Sequence, residues 1–276
     1  MQTGSIGQNW LPCLDSLSLI TADVSCECLP AGYQLIKNEN LDLEHPAYLF
    51  GFVVAKLEKI EQRHNDLIIQ NYSRSWQYKT RTFENIPAMI GFLELLFGKY
   101  PHKNLNNIWL KEVIGSGMEN IGLNIIDGKL LLESNSSKTE IVQSEILLVH
   151  EIAHQYIGNT IWLETWEDLW IKEGIATLVE LFWTQYQYGQ KEFNKLLFQK
   201  QQYLSGAKTK REPFDYNNLE YKDYFDSNTY EGSGLWILKR VKDFDGFTKL
   251  CNHLTINYSS KRIGTKEFMD LFVKGF

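Results

Sequence analysis

The 276-residue sequence predicts an α+β protein, mainly helical with a small mixed sheet and preceded by a short antiparallel β portion. Three patterns carry that expectation. The first is alternation. Leu17 to Leu29 sets Ala22, Val24, Cys26 and Cys28 on one face and Asp23, Ser25 and Glu27 on the other, the period of a half-buried strand. Apolar runs at Ala47 to Ala55 and Asp66 to Asn71 read as further strands. The second is a change of period. From Asn85 to Tyr100, Ile86, Met89, Ile90, Leu93, Leu96 and Phe97 recur at helical spacing until Gly98 and Pro101 stop the run. Short strands follow at Asn107 to Ile114, Ile121 to Ile126 and Lys129 to Leu132. The third is a helical remainder from Thr139: Ser144 to Gly158, then roughly Glu167 to Tyr188, Lys191 to Leu204, Gly234 to Val241 and Lys266 to Val273. The polar stretch Ser205 to Asn228 reads as a loop. A boundary near residue 68 divides a partial β domain, 1–68, from an α+β domain, 69–276.

Composition narrows the function classes. A hydrophobic fraction of 43% supports a packed core. A net charge of −6 with no Lys/Arg-rich run argues against nucleic acid as a partner. The first twenty residues lack a basic start followed by an apolar core, so no signal peptide is expected. No apolar stretch reaches the roughly eighteen residues of a membrane span. The four cysteines have no zinc-ribbon spacing, and Cys26 and Cys28 are expected to be small buried apolar groups. A cytoplasmic protein fits best.

The chemistry concentrates in His150-Glu151-Ile152-Ala153-His154. Residues four apart share a helix face, so the two imidazoles can converge on one cation while Glu151 holds a water beside it. The flanks Ile146, Leu147, Leu148, Val149, Ile152, Ala153 and Ile157 describe a buried helix. Two histidines and a glutamate buried there cost several kcal/mol unless they are paired or bind metal. Eighteen residues separate His154 from Glu173, and two His with one carboxylate is a ligand set of catalytic zinc.

At this point the sequence resembles the gluzincins of the aminopeptidase-N type, the family that includes leukotriene hydrolase. Their pattern is His-Glu-x-x-His, eighteen residues, then Glu in a Trp-Leu-x-Glu-Gly-Phe-Ala context; here it is Trp170-Ile171-Lys172-Glu173-Gly174-Ile175-Ala176. Gly117-Met118-Glu119-Asn120 resembles the family's Gly-Ala-Met-Glu-Asn box, with Ser116 and Gly117 where Gly and Ala are usual. Thr229-Tyr230-Glu231-Gly232-Ser233-Gly234 is similar to the Tyr-Glu-Lys-Gly segment, without its Lys. Trp10-Leu11-Pro12-Cys13-Leu14-Asp15 resembles a Trp-Phe-Pro-Cys-x-Asp stretch of the family's β domain.

The resemblance implies a thermolysin-like catalytic domain after a shortened β domain. It implies one Zn2+ per chain on His150, His154 and Glu173, with Glu151 as general base. Tyr230 would donate a hydrogen bond to the oxyanion. Glu119 would bind the substrate's free α-amino group, with Gly117 and Met118 along its backbone. Glu180, seven residues after Glu173, is expected to orient a zinc ligand. Relatives carry a β segment before the equivalent of Trp10 and a helical domain after the equivalent of Phe276. Without them sheet edges would be unpaired, and self-association, a separate partner or derivation from a longer precursor would account for that. The expected activity is zinc-dependent cleavage of the first peptide bond of a peptide. Two other readings remain open: a zinc endopeptidase, and a non-catalytic interaction module derived from the family.

Overall fold

The computed structural model describes residues 17, 19–21, 24–38, 44–74, 80–111, 117–133 and 135–276. Gln2, Ser116 and the stretch from Trp10 to Asp15 lie outside the described residues. The chain forms two compact units, Met1–Gly91 with Tyr100–Gln155, and Phe92–Lys99 with Tyr156–Phe276.

In the first unit, β1 (Leu19–Ile20) pairs antiparallel with β3 (His45–Pro46), and β2 (Gln34–Lys37) with β4 (Phe52–Ala55). A five-stranded mixed sheet follows, made of β5 (Glu58–His64), β6 (Leu67–Ser73), β7 (Asn104–Leu110), β8 (Gly117–Asn120) and β9 (Leu123–Asp127). Its order is β5-β6-β7-β9-β8, with β6, β7 and β9 parallel and the outer two strands antiparallel. Ile36 and Val53 of the β2–β4 ribbon pack with Tyr72, Ile108, Leu123 and Ile125 to form an apolar core on one sheet face. The boundary expected near residue 68 falls inside β6.

The other face of the sheet carries a buried amide row. Asn71, Asn107 and Asn124 stand opposite one another on β6, β7 and β9, with Glu119 next in register on β8. Asn124 Nδ2 donates to Asn107 Oδ1 and Asn107 Nδ2 to Asn71 Oδ1, both at 3.0 Å. Asn71 Nδ2 continues to Gln62 Oε1 at 3.2 Å. Buried amides are costly unless bonded, and each of these has a partner that fixes its rotamer and the strand register.

Helix α1 (Ile86–Phe97) stands where apolar periodicity expects it, whereas helix α2 (Lys138–Ala153) stops short of the expected Gly158: His154 is its C-cap, and Ile157 pairs in a bridge with Ile161. In the second unit, α3 (Leu169–Tyr188) is buried from Leu169 through Thr184. Around it lie α4 (Gln190–Ser205), α5 (Ser233–Val241), α6 (Phe244–Tyr258) and α7 (Thr265–Lys274). A short parallel pair joins β10 (Trp162–Leu163) to β11 (Arg262–Ile263). No helix among the described residues is long and apolar enough to cross a membrane.

The structure corrects several sequence expectations. Among the described residues of 17–29, only β1 is strand, because β3 offers it just two partners. Cys26 and Cys28 lie beyond that pairing and are exposed free thiols rather than buried groups. Lys129 to Leu132 is not a strand. Asp127 Oδ1 accepts the Lys129 N–H at 2.9 Å and draws Gly128–Leu130 into a 3-10 turn. Ala47 to Ala55 begins with another 3-10 turn, Ala47–Leu49, before β4. β5 and α6 are additional elements; α6 is started by Asp243, whose side chain accepts from the Gly246 N–H at 2.8 Å.

Candidate metal centre

Helix α2 begins with a capping box in which Ser137 and Glu140 satisfy each other's backbone N–H groups. The helix ends in the buried residues Leu148 to Ala153. His150 and His154 are 7% and 1% exposed, and their Nε2 atoms stand 3.1 Å apart with the rings nearly perpendicular. Two ring nitrogens aimed at each other this closely, out of water, form a ready pair of ligands.

Strand β8 runs along the sheet edge beside α2. A Cβ added to Gly117 would fall onto Glu151 Oε1, so a glycine is needed for the carboxylate to occupy its place. Alternation puts Glu119 on the same strand face as Gly117. Met118 packs with the core of the opposite face, and Asn120 Nδ2 donates to Phe50 O at 3.2 Å. Gly117 and Glu119 thus share one face of β8, the face on which Gly117 meets Glu151.

Gln155, next to His154 and fully buried, escaped the sequence reading. Its Oε1 accepts from the Gly122 N–H at 2.8 Å, and its Nε2 donates to Asn120 O at 3.0 Å and Asn124 Oδ1 at 2.9 Å. The end of α2 is thereby fastened to the β8–β9 turn.

Glu173 lies in α3 and is 3% exposed. Lys172 Nζ approaches its Oε1 to 2.7 Å, an ion pair of two buried side chains that the sequence did not reveal. One ligand atom each from His150, His154 and Glu173 lies within 4.8 Å of the others. Nitrogen, nitrogen and carboxylate oxygen, converging in a buried place, match the donor set that zinc takes while keeping a fourth position open.

Tyr230 sits in a π-helical turn, Asn228–Gly232, directly before α5. Such turns are rare and cluster at functional places. Asp226 Oδ1 accepts from the Asn228 and Thr229 N–H groups at 3.1 and 3.0 Å, and Ser233 Oγ donates to Thr229 O at 2.5 Å. The close crossing of α3 and α5 sets the position of this turn. A Cβ on Gly174 would meet Ser233 Cβ at 2.6 Å, and one on Gly234 would meet Thr177 Cγ2 at 2.5 Å. Tyr216 lies close by; burial foremost, with the Glu173 charge adding to it, pushes its hydroxyl up to about 12 against the opposing Thr229 and Arg211 interactions.

Glu180 pairs with Lys200 of α4, Nζ to Oε2 at 2.6 Å, with both side chains 8% exposed. The same Nζ is 4.0 Å from Glu231, the residue after Tyr230. This contact ties Glu180 to the Tyr230 turn, a connection absent from the sequence expectation.

Comparison with known proteins adds a family match. Residues 81–275 match the peptidase family M1 domain. The chain is 33% identical over 137 residues to mitochondrial aminopeptidase 2 of Saccharomyces cerevisiae, covering 47% of this chain and 14% of that protein. It is 33% identical over 161 residues to aminopeptidase Q of Mus musculus, covering 55% of this chain and 29% of the relative. With aminopeptidase N of Homo sapiens it shares 31% identity over 149 residues, covering 50% of this chain and 15% of the relative. The matched stretches span less than a third of these relatives' lengths. The family match itself takes in more than half of the chain and includes His150, Glu151, His154, Glu173 and Tyr230: the chain belongs to peptidase family M1.

Proposed function

We propose that this chain carries the catalytic part of a zinc-dependent aminopeptidase that hydrolyses the amino-terminal peptide bond of peptides. The observation that carries the reading is the buried convergence of His150, His154 and Glu173, whose donor atoms lie within 4.8 Å of one another. Those three residues would hold one zinc ion per chain. Zinc, when bound, lowers the pKa of a coordinated water toward ~7 and polarises the scissile carbonyl. The division into a partial β domain, 1–68, and a thermolysin-like peptidase domain, 69–276, belongs to the same proposal. The family match over residues 81–275 supports its second half.

The remaining roles fall to residues of this chain. Glu151, backed by Gly117, takes a proton from the attacking water and returns it to the leaving amine. Tyr230 donates its hydroxyl hydrogen to the carbonyl oxygen as negative charge develops there. Gly117 and Met118, on the outermost strand of the sheet, offer backbone groups to an extended substrate, as edge strands do. Glu119 on that strand pairs with the substrate ammonium, a charge-assisted contact that makes the enzyme count from the amino end. Glu180 acts through Lys200 on the turn that bears Tyr230. A cytoplasmic setting completes the reading.

The test is metal analysis alongside turnover of aminoacyl chromogenic substrates. The protein should hold about one zinc, and Glu151→Gln should keep the metal while losing about 10²- to 10⁴-fold in kcat, the range of general acid–base catalysis. A protein with neither zinc nor turnover would refute the proposal in favour of an interaction module.

A further inference from the structure

Arg211 lies in the loop between α4 and the Tyr230 turn, among lysines that suggest a solvated stretch. Its side chain is instead 6% exposed. Nη1 donates to the carbonyls of Glu212, Pro213 and Asp215 at 3.3, 3.2 and 3.1 Å. Nη2 donates to Asp226 Oδ1 at 2.7 Å and to Thr229 Oγ1 at 2.8 Å. The guanidinium also lies 4.7 Å from the centre of the Tyr216 ring, within cation–π range. One planar cation thus holds two arms of the loop, 212–216 and 226–229.

Each arm ends on the machinery proposed above. Asp226, the carboxylate that Arg211 grips, is the acceptor for the first N–H groups of the π turn. Thr229, which Arg211 also grips, directly precedes Tyr230. The Tyr216 hydroxyl is 3.2 Å from Thr229 Oγ1. A bonded path therefore runs from Arg211 through Thr229 to Tyr216, and Ser233, directly after the turn, lies against Gly174, the residue after Glu173. A π turn has poorer hydrogen-bond geometry than an α-helix and keeps its shape only where its surroundings impose it.

We propose that Arg211 is a positioning residue for Tyr230: it fixes the π turn so that the Tyr230 hydroxyl is held in place relative to Glu173. The proposal rests on the reading of Tyr230 as the donor to the developing oxyanion. It predicts that lysine is no substitute, because an ammonium cannot reproduce a fork that bonds three carbonyls on one side and a carboxylate and a hydroxyl on the other.

A double-mutant cycle on the zinc-loaded protein separates the two claims. Arg211→Lys should lower kcat by roughly tenfold to a hundredfold, the scale of a misplaced catalytic group, with KM and zinc content unchanged. Tyr230→Phe should lower kcat by about 10² to 10³, the scale of one lost oxyanion donor. Adding Arg211→Lys to Tyr230→Phe should then cost nothing more. Equal losses in both backgrounds, or no loss from Arg211→Lys, would overturn the positioning role while leaving Tyr230 in place. Wild-type kcat in Tyr230→Phe would overturn the oxyanion reading and this proposal with it. Asp226→Asn breaks the same pair from the other side and should repeat the non-additive pattern; additivity there also counts against the proposal.

Discussion

Gly117 shows how much one missing side chain can control. The Glu151 carboxylate takes up the room a Cβ would need, so Gly117→Ala must displace either the base or the strand edge along which a substrate would lie. The expected outcome is a fall in kcat of roughly a hundredfold with zinc still bound, since small misplacements of reacting groups carry costs of that order. Steady-state kinetics paired with metal analysis checks it; an active Gly117→Ala protein would show that Glu151 has room to spare. At this scale the sequence was legible where the chemistry is local. His150 and His154 announce themselves because a helix places residues four apart on one face. Lys172, Lys200, Gln155 and Arg211 were not legible. Lys200, Gln155 and Arg211 matter through partners on other segments, as Lys200 does between Glu180 and Glu231, while Lys172 pairs with the adjacent Glu173, and a lone Lys or Arg in a sequence looks like a solvated charge.

Among the elements, the crossing of α3 and α5 depends on small residues facing each other. Gly174 lies against Ser233 and Gly234 against Thr177. Gly234→Ala is expected to cost about 1–3 kcal/mol, the usual penalty of overpacking. It should also lower kcat, because α5 is continuous with the Tyr230 turn. Thermal unfolding and kinetics on one preparation test both parts; unchanged values would mean that the helices can separate freely. The elements the sequence foretold, such as α1, α2 and α3, have strong one-sided or fully apolar periodicity. α6, which it missed, is no less one-sided, burying Phe247, Leu250, Cys251 and Leu254. β5 is a polar hairpin arm, Glu58 to His64, whose strand character comes from pairing with β6. The expected strand at Lys129 to Leu132 was lost to a side-chain cap that periodicity cannot register.

For the whole molecule, alternation giving way to helical periodicity predicts the α+β class, and the family match over residues 81–275 covers the region where the metal motif lies. The partition into units could not be read along the chain. Residues 92–99 leave the first unit for the second, and β5 and β6 join the same sheet as β7 to β9. Strand order depends on contacts between distant residues, such as the Asn71–Asn107–Asn124 row, that only the folded chain displays. The central claim is functional: zinc hydrolysis that counts from a free amino terminus. The most direct measurement is the rate at which the zinc-loaded protein cleaves matched aminoacyl substrates with free and with N-acetylated amino groups. Cleavage of the free form alone is the predicted result. Equal cleavage of the acetylated form would contradict the role given to Glu119 and point to an endopeptidase instead.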